Sequence, residues 1–145
     1  MQAACGLAQL EKAPQFIQAR KDNFAYLKER LKDCEELVNL PVPTEHSDPS
    51  WFGFPITLKE NCPVKRLDLL TYLDQNKVGT RLLFAGNLTR QPYMAGTRYR
   101  ISGDLNNTDH LMNNTFWIGV QPALTKEMLE FSASKIKGYL GVSFD

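Results

Sequence analysis

Between positions 16 and 31 the apolar residues Phe16, Ile17, Phe24, Leu27 and Leu31 recur at helical spacing, with Arg20, Lys21, Lys28 and Glu29 opposite them. That stripe predicts an amphipathic helix laid on one partner. The alanine-rich stretch over 1–12 continues the same pattern, and Pro14 lacks a backbone donor. The helical region over 1–33 is therefore expected to kink or restart near Pro14. Three prolines, Pro41, Pro43 and Pro49, mark 40–50 as a loop.

Residues 51–58 alternate, placing Phe52, Phe54, Ile56 and Leu58 on one face and Trp51, Gly53, Pro55 and Thr57 on the other. This reads as a half-buried strand, which Pro55 pushes toward a sheet edge. A second helix is expected over 65–75 with Leu67, Leu70 and Leu73 inward, ended by 77–79, and then a strand over 78–84. Residues 85–107 lack regular pattern, a length that suits a functional segment. One helical turn at 109–113 is expected, capped by Thr108, followed by an apolar strand over 115–120. Thr125 caps a last helix whose stripe is Leu129, Ala133, Ile136 and Leu140, closed by Gly141. The architecture expected is a small α/β (α+β) layer with helices covering a three-stranded sheet.

The chain has 145 residues, enough for one domain with its own core. Seventeen basic against sixteen acidic residues leave a formal charge of +1. A protein that grips a nucleic-acid backbone shows a basic excess, so that class is disfavoured, including single-strand binding through Phe84, Tyr93 and Tyr99. No apolar run approaches the roughly 18 residues of a membrane span, and the first residues lack a basic-then-apolar signal. A cytoplasmic location without membrane contact is the expectation. Cys5, Cys34 and Cys62 form no close pair, and His46 and His110 stand apart. Reduced thiols are expected, with no metal site.

No catalytic set is legible: H-E-x-x-H, P-loop, G-x-S-x-G and Gly-rich dinucleotide turns are all missing. Arginine and aromatic residues instead concentrate from Arg81 to Arg100, at Arg81, Phe84, Arg90, Tyr93, Arg98, Tyr99 and Arg100. A guanidinium fork matches phosphate bidentately, and Asn87 adds neutral hydrogen bonds. The segment suits a phosphorylated or nucleotide-linked small ligand. Arg98 and Arg100 also read as residues that keep a loop wet, His110 as a surface or capping histidine, and Phe52 as a strand core residue.

Residues 1–12 resemble the helix joining the large and small domains of DegT/StrS-like sugar aminotransferases, fold-type I pyridoxal-phosphate enzymes. Three further motifs sharpen the likeness: Ser-Asp-Pro-Ser-Trp-Phe-Gly-Phe-Pro-Ile-Thr-Leu at 47–58, Gly-Thr-Arg-Leu-Leu-Phe-Ala-Gly-Asn-Leu-Thr-Arg-Gln-Pro-Tyr at 79–93, and Asn-Asn-Thr-Phe-Trp-Ile-Gly at 113–119. They resemble the branch of that family that dehydrates CDP-4-keto-6-deoxy-D-glucose at carbon 3 in lipopolysaccharide dideoxysugar synthesis. Ordinary aminotransferases of the family carry a Pro-Leu-His-type sequence where this chain has Gly-Asn-Leu-Thr-Arg at 86–90.

The resemblance implies a C-terminal small domain of a larger, homodimeric enzyme. Residues 1–33 would be the interdomain helix region and 34–145 the sheet-and-helix layer. It implies pyridoxamine or pyridoxal phosphate and a [2Fe-2S] cluster fed by a partner reductase, all held mainly by a preceding large domain. Catalytic residues would lie there too. The small domain would close the cleft on the CDP-sugar, with Asn87 and Arg90 as first substrate contacts, then Arg81, Phe52 and His110. Two alternatives are a related aminotransferase's C-terminal domain and a stand-alone α/β module that binds a phosphorylated ligand.

Overall fold

In a computed structural model, residues 1–142 are described. The helical region divides into α1 (Gln2–Leu10) and α2 (Ala13–Leu31). The break falls at Glu11 and Lys12, and Pro14 sits in the first turn of α2, where a missing donor costs nothing. All nine residues of α1 are exposed, whereas α2 buries Phe24, Leu27 and Leu31. Phe16 and Ile17, expected on the same buried stripe, remain partly in water.

The sheet has four strands rather than three. Its order is β1 (Val38–Asn39), β2 (Gly53–Leu58), β4 (Thr115–Gly119), β3 (Thr80–Leu82), all antiparallel. The extra strand has two residues, too short for alternation to announce. Pro55 therefore sits in an interior strand. Yet β1 reaches only Thr57 and Leu58, so one edge of β2 is uncovered where proline lacks its N–H.

Pairing Phe54 with Ile118 and Ile56 with Phe116 puts four apolar side chains on one face, all at most 2% exposed. Helices α2, α3 (Arg66–Gln75) and α5 (Lys126–Leu140) cover that face. In α3 the buried pair is Leu69 and Leu73; Leu67, expected inward, is exposed, and Leu70 is only half-buried. Helix α5 follows expectation: Thr125 Oγ1 accepts from the Met128 amide, the four stripe residues are buried, and Gly141 ends it at φ 75°. Tyr26 and Arg30 of α2 both donate to the Glu130 carboxylate, tying α2 to α5. The buried Lys137 ammonium reaches Asp33 at 2.9 Å.

Helix α4 is longer than the single turn expected, running Asn106–Asn114 directly into β4. Thr108 lies inside it rather than capping it. The Asn106 amide instead donates to Asp104 Oδ1. Because α4 turns straight into the sheet, it covers the opposite face only at the end where Thr57 and Thr115 lie buried, their hydroxyls 2.9 Å apart. The other end of that outer face stays open.

Candidate functional site

On the open end, cross-strand pairing aligns Pro55, Trp117 and Arg81 in one row. Such neighbours have Cβ atoms about 5 Å apart. The Trp117 indole is fixed on two sides. Its Nε1–H donates to the Leu82 carbonyl at 3.1 Å, and its ring lies over Gly53, where an added Cβ would come within 2.3 Å of Cε3. Glycine here makes room for the ring. Phe52 packs on Trp117 with centroids 5.0 Å apart. Behind them, Arg20 Nη1 donates to the carbonyls of Trp51 (3.0 Å) and Phe52 (3.3 Å), while Trp51 stacks on Phe24. Phe52 is thus mainly exposed and belongs to this outer surface, not to the strand core.

The chain leaves β3 through a tight turn in which the Phe84 amide donates to the Leu82 carbonyl. Phe84 takes φ 47°, a left-handed value bulky residues avoid, and Gly86 takes φ 62°. Asn87, only 2% exposed, then caps a short 3₁₀ turn over Leu88–Arg90: its Oδ1 accepts from the Thr89 amide and hydroxyl. Its Nδ2 donates to Asp109 Oδ1 at 2.6 Å. Arg90 completes the clasp, with Nε 3.3 Å from Asp109 Oδ1 and Nη2 2.7 Å from Oδ2. The Arg90 fork and the Asn87 amide hold the Asp109 carboxyl below the usual carboxylate range, and Asp109 in turn raises the Arg90 guanidinium.

The five residues singled out from sequence thus fall into three places. Phe52 and Arg81 share the outer sheet face with Trp117. Asn87 and Arg90 meet on Asp109. His110 is separate: its Nδ1 lies 3.1 Å from the Asn114 amide nitrogen, and it faces a hollow of about 400 Å3 with Lys59, Glu60 and Arg66. Asp109 and Trp117 were missed. A signal for Asp109 existed, since Asp104 and Asp109 are the only carboxylates between Asp74 and Glu127, a span holding four arginines.

The walls of the outer-face cleft do not by themselves form a pyridoxal phosphate site, and the described residues gather no ligand set for an iron–sulfur cluster. The walls of the outer-face cleft carry neither a lysine nor any other cation, and Arg90 is already paired. Arg66 is also committed, donating to the carbonyls of Met112 and Thr115. Among the described residues no three His, Cys, Asp or Glu side chains cluster to hold a metal, and burial pushes the Cys34 thiol up to about 11.

A family described as DegT/DnrJ/EryC1/StrS aminotransferase matches residues 1–137. The chain is 58% identical over 144 residues to the lipopolysaccharide biosynthesis protein RfbH of Salmonella typhimurium, covering 99% of this chain and 33% of that protein. It is 43% identical to the dTDP-4-dehydro-2,6-dideoxy-D-glucose 3-dehydratase of Saccharopolyspora spinosa, covering 99% of this chain and 31% of the relative. The E. coli GDP-4-keto-6-deoxy-D-mannose-3-dehydratase structure with bound hydrated PLP superposes with a TM-score of 0.82 at 25% identity, over 91% of this chain and 33% of that one. The chain spans about a third of the length of these relatives.

Proposed function

Because the chain belongs to the DegT/DnrJ/EryC1/StrS aminotransferase family, we propose that it is the C-terminal small domain of a nucleotide-sugar 3-dehydratase acting in lipopolysaccharide dideoxysugar synthesis. The observation that carries this reading is near end-to-end identity, 58% to a lipopolysaccharide biosynthesis protein and 43% to a sugar 3-dehydratase. The substrate proposed is CDP-4-keto-6-deoxy-D-glucose. A large domain, joined through the exposed α1, would hold the pyridoxamine or pyridoxal phosphate, the [2Fe-2S] cluster, the reductase contact and the main homodimer interface. The cofactor would supply the electron sink for loss of the 3-hydroxyl. This chain's part is to close and shape the cleft in the cytoplasmic enzyme.

The two clusters support such a role differently. The clasp of Asn87, Arg90 and Asp109 ties the 84–94 segment to α4, and with it the loop beside the outer face. Arg90 thus has a partner before any substrate arrives, so its first effect is to hold that loop in place. Arg81 and Phe52 lie on the open end; Arg81 Nη1 donates to the Thr80 carbonyl at 2.9 Å, and its exposed fork has further N–H groups to offer a ligand. Substrate would also be positioned by a face that is fixed before binding, which lowers the ordering cost.

Product identity tests the reading. This chain replaces the last third of the Salmonella relative, and the hybrid is given CDP-4-keto-6-deoxy-D-glucose, the cofactor and a reductase. Loss of the 3-hydroxyl at a rate within about tenfold of the parent is expected, about 1.4 kcal/mol of barrier. A 4-amino sugar as the product would instead support the aminotransferase reading.

A further inference from the structure

The open end of the outer sheet face holds a cleft of about 160 Å3 whose lining includes Phe52, Gly53, Pro55, Phe84 and Trp117. A protein cavity of about 150 Å3 accepts benzene, so the space suits one six-membered ring. The walls are held in advance by the Leu82 carbonyl on Trp117 and by Arg20 on the backbone of Trp51 and Phe52. Phe84 is the odd member. It holds a backbone conformation that is costly for a bulky residue, yet the residue is 80% exposed, so core packing does not explain it. An aromatic ring held out beside two others is a stacking surface. Arg81 lies in the Trp117 row, where a phosphate attached to a stacked ring would meet a cation.

Resting on the nucleotide-sugar reading, we propose that this cleft seats the pyrimidine base of the nucleotide between Phe84 and Phe52, with Arg81 taking its diphosphate. The volume matches the single ring of a pyrimidine; the second fused ring of a purine would extend out of the open cleft and lose its contact with the walls. Apart from the indole N–H groups of Trp51 and Trp117, the latter given to the Leu82 carbonyl, the lining has no polar side chain to read base edges, so cytosine and thymine would be accepted alike. This assigns Phe84 a binding role and gives its strained backbone a purpose.

Calorimetric titration of the hybrid enzyme with CDP, dTDP, GDP and inorganic pyrophosphate tests the assignment. CDP and dTDP are expected to bind within a few-fold of one another, and GDP at least about tenfold more weakly. Asparagine tolerates the left-handed backbone, so Phe84→Asn removes the ring without refolding the turn. It should weaken CDP about 5- to 100-fold, as loss of one base–aromatic stack does, leave pyrophosphate unchanged, and keep or raise the melting temperature. Arg81→Gln should weaken CDP and pyrophosphate alike. The proposal falls if Phe84→Asn leaves CDP affinity intact, if it weakens CDP and pyrophosphate equally, or if it changes only the oligomeric state. Nucleotide affinity is read without turnover. A hybrid that aminates its sugar yet loses CDP affinity in Phe84→Asn would sink the dehydratase reading and keep the base subsite.

Discussion

Truncating Phe116 to alanine should lower the unfolding free energy by about 3–5 kcal/mol, the usual cost of deleting a buried phenylalanine. Phe116 is fully buried at the centre of the sheet, paired with Ile56 on one side and Leu82 on the other. The cost has two parts, the lost transfer energy of the ring and the cavity it leaves. A sheet held on both sides of β4 has little freedom to close that cavity. Domains of this size have about 5–15 kcal/mol in total, so the variant would sit near its unfolding threshold. Urea denaturation measures it: the midpoint should fall with an unchanged slope. A loss under about 1 kcal/mol would mean that the core can collapse around the gap, contrary to the packing described.

The second large effect is expected at Gly86. Replacing it with alanine meets two separate obstacles. Its φ of 62° is unfavourable for any side chain, at about 1–2 kcal/mol. The new Cβ would also stand 2.5 Å from Met112 Cγ and 2.9 Å from its Cβ, adding about 1–3 kcal/mol of overpacking. The near contact with Met112 Cβ matters, because that atom cannot swing aside as the thioether can. Adding Met112→Ala removes the 2.5 Å contact with Cγ but keeps Cβ, so it should relieve part of the second obstacle and leave the first. A thermal-melt double-mutant cycle should therefore give a favourable coupling of about 0.5–3 kcal/mol. Additive effects would show that the clash is not what Gly86 avoids.

Regular elements with strong local signals were legible in the chain. Thr125, Gly141 and a four-residue stripe define α5 because cap, period and terminator agree. The alternation over 51–58 and the apolar run over 115–120 likewise marked β2 and β4, although Phe52 lies off the inward face. Helix α3 was harder. Leucines at 67, 69, 70 and 73 allow two inward faces of similar weight, and only the sheet and α5 decide that Leu69 and Leu73 face in. Strand β1 is two residues long and exists because β2 offers it a partner. The length of α4 was hidden because Asn106, Asn107 and Thr108 resemble loop residues, and its end is fixed by β4.

The candidate site shows the same division. The arginine–aromatic segment stood out by composition, so Arg81, Asn87, Arg90 and Phe84 were visible. Their grouping was not. Asp109 lies nineteen residues beyond Arg90, and whether an arginine meets a carboxylate or a phosphate depends on which is nearer in space. Trp117 read as an apolar strand residue. It becomes part of an open surface because α4 covers only one end of the outer face.

Amide hydrogen exchange of the hybrid enzyme, with and without CDP-4-keto-6-deoxy-D-glucose, tests most directly whether this chain forms a wall of the substrate cleft. Exchange at residues 81–91 and 52–54 should slow several-fold when the sugar nucleotide is bound. Protection confined to the other two-thirds of the hybrid, with these residues exchanging as before, would contradict it.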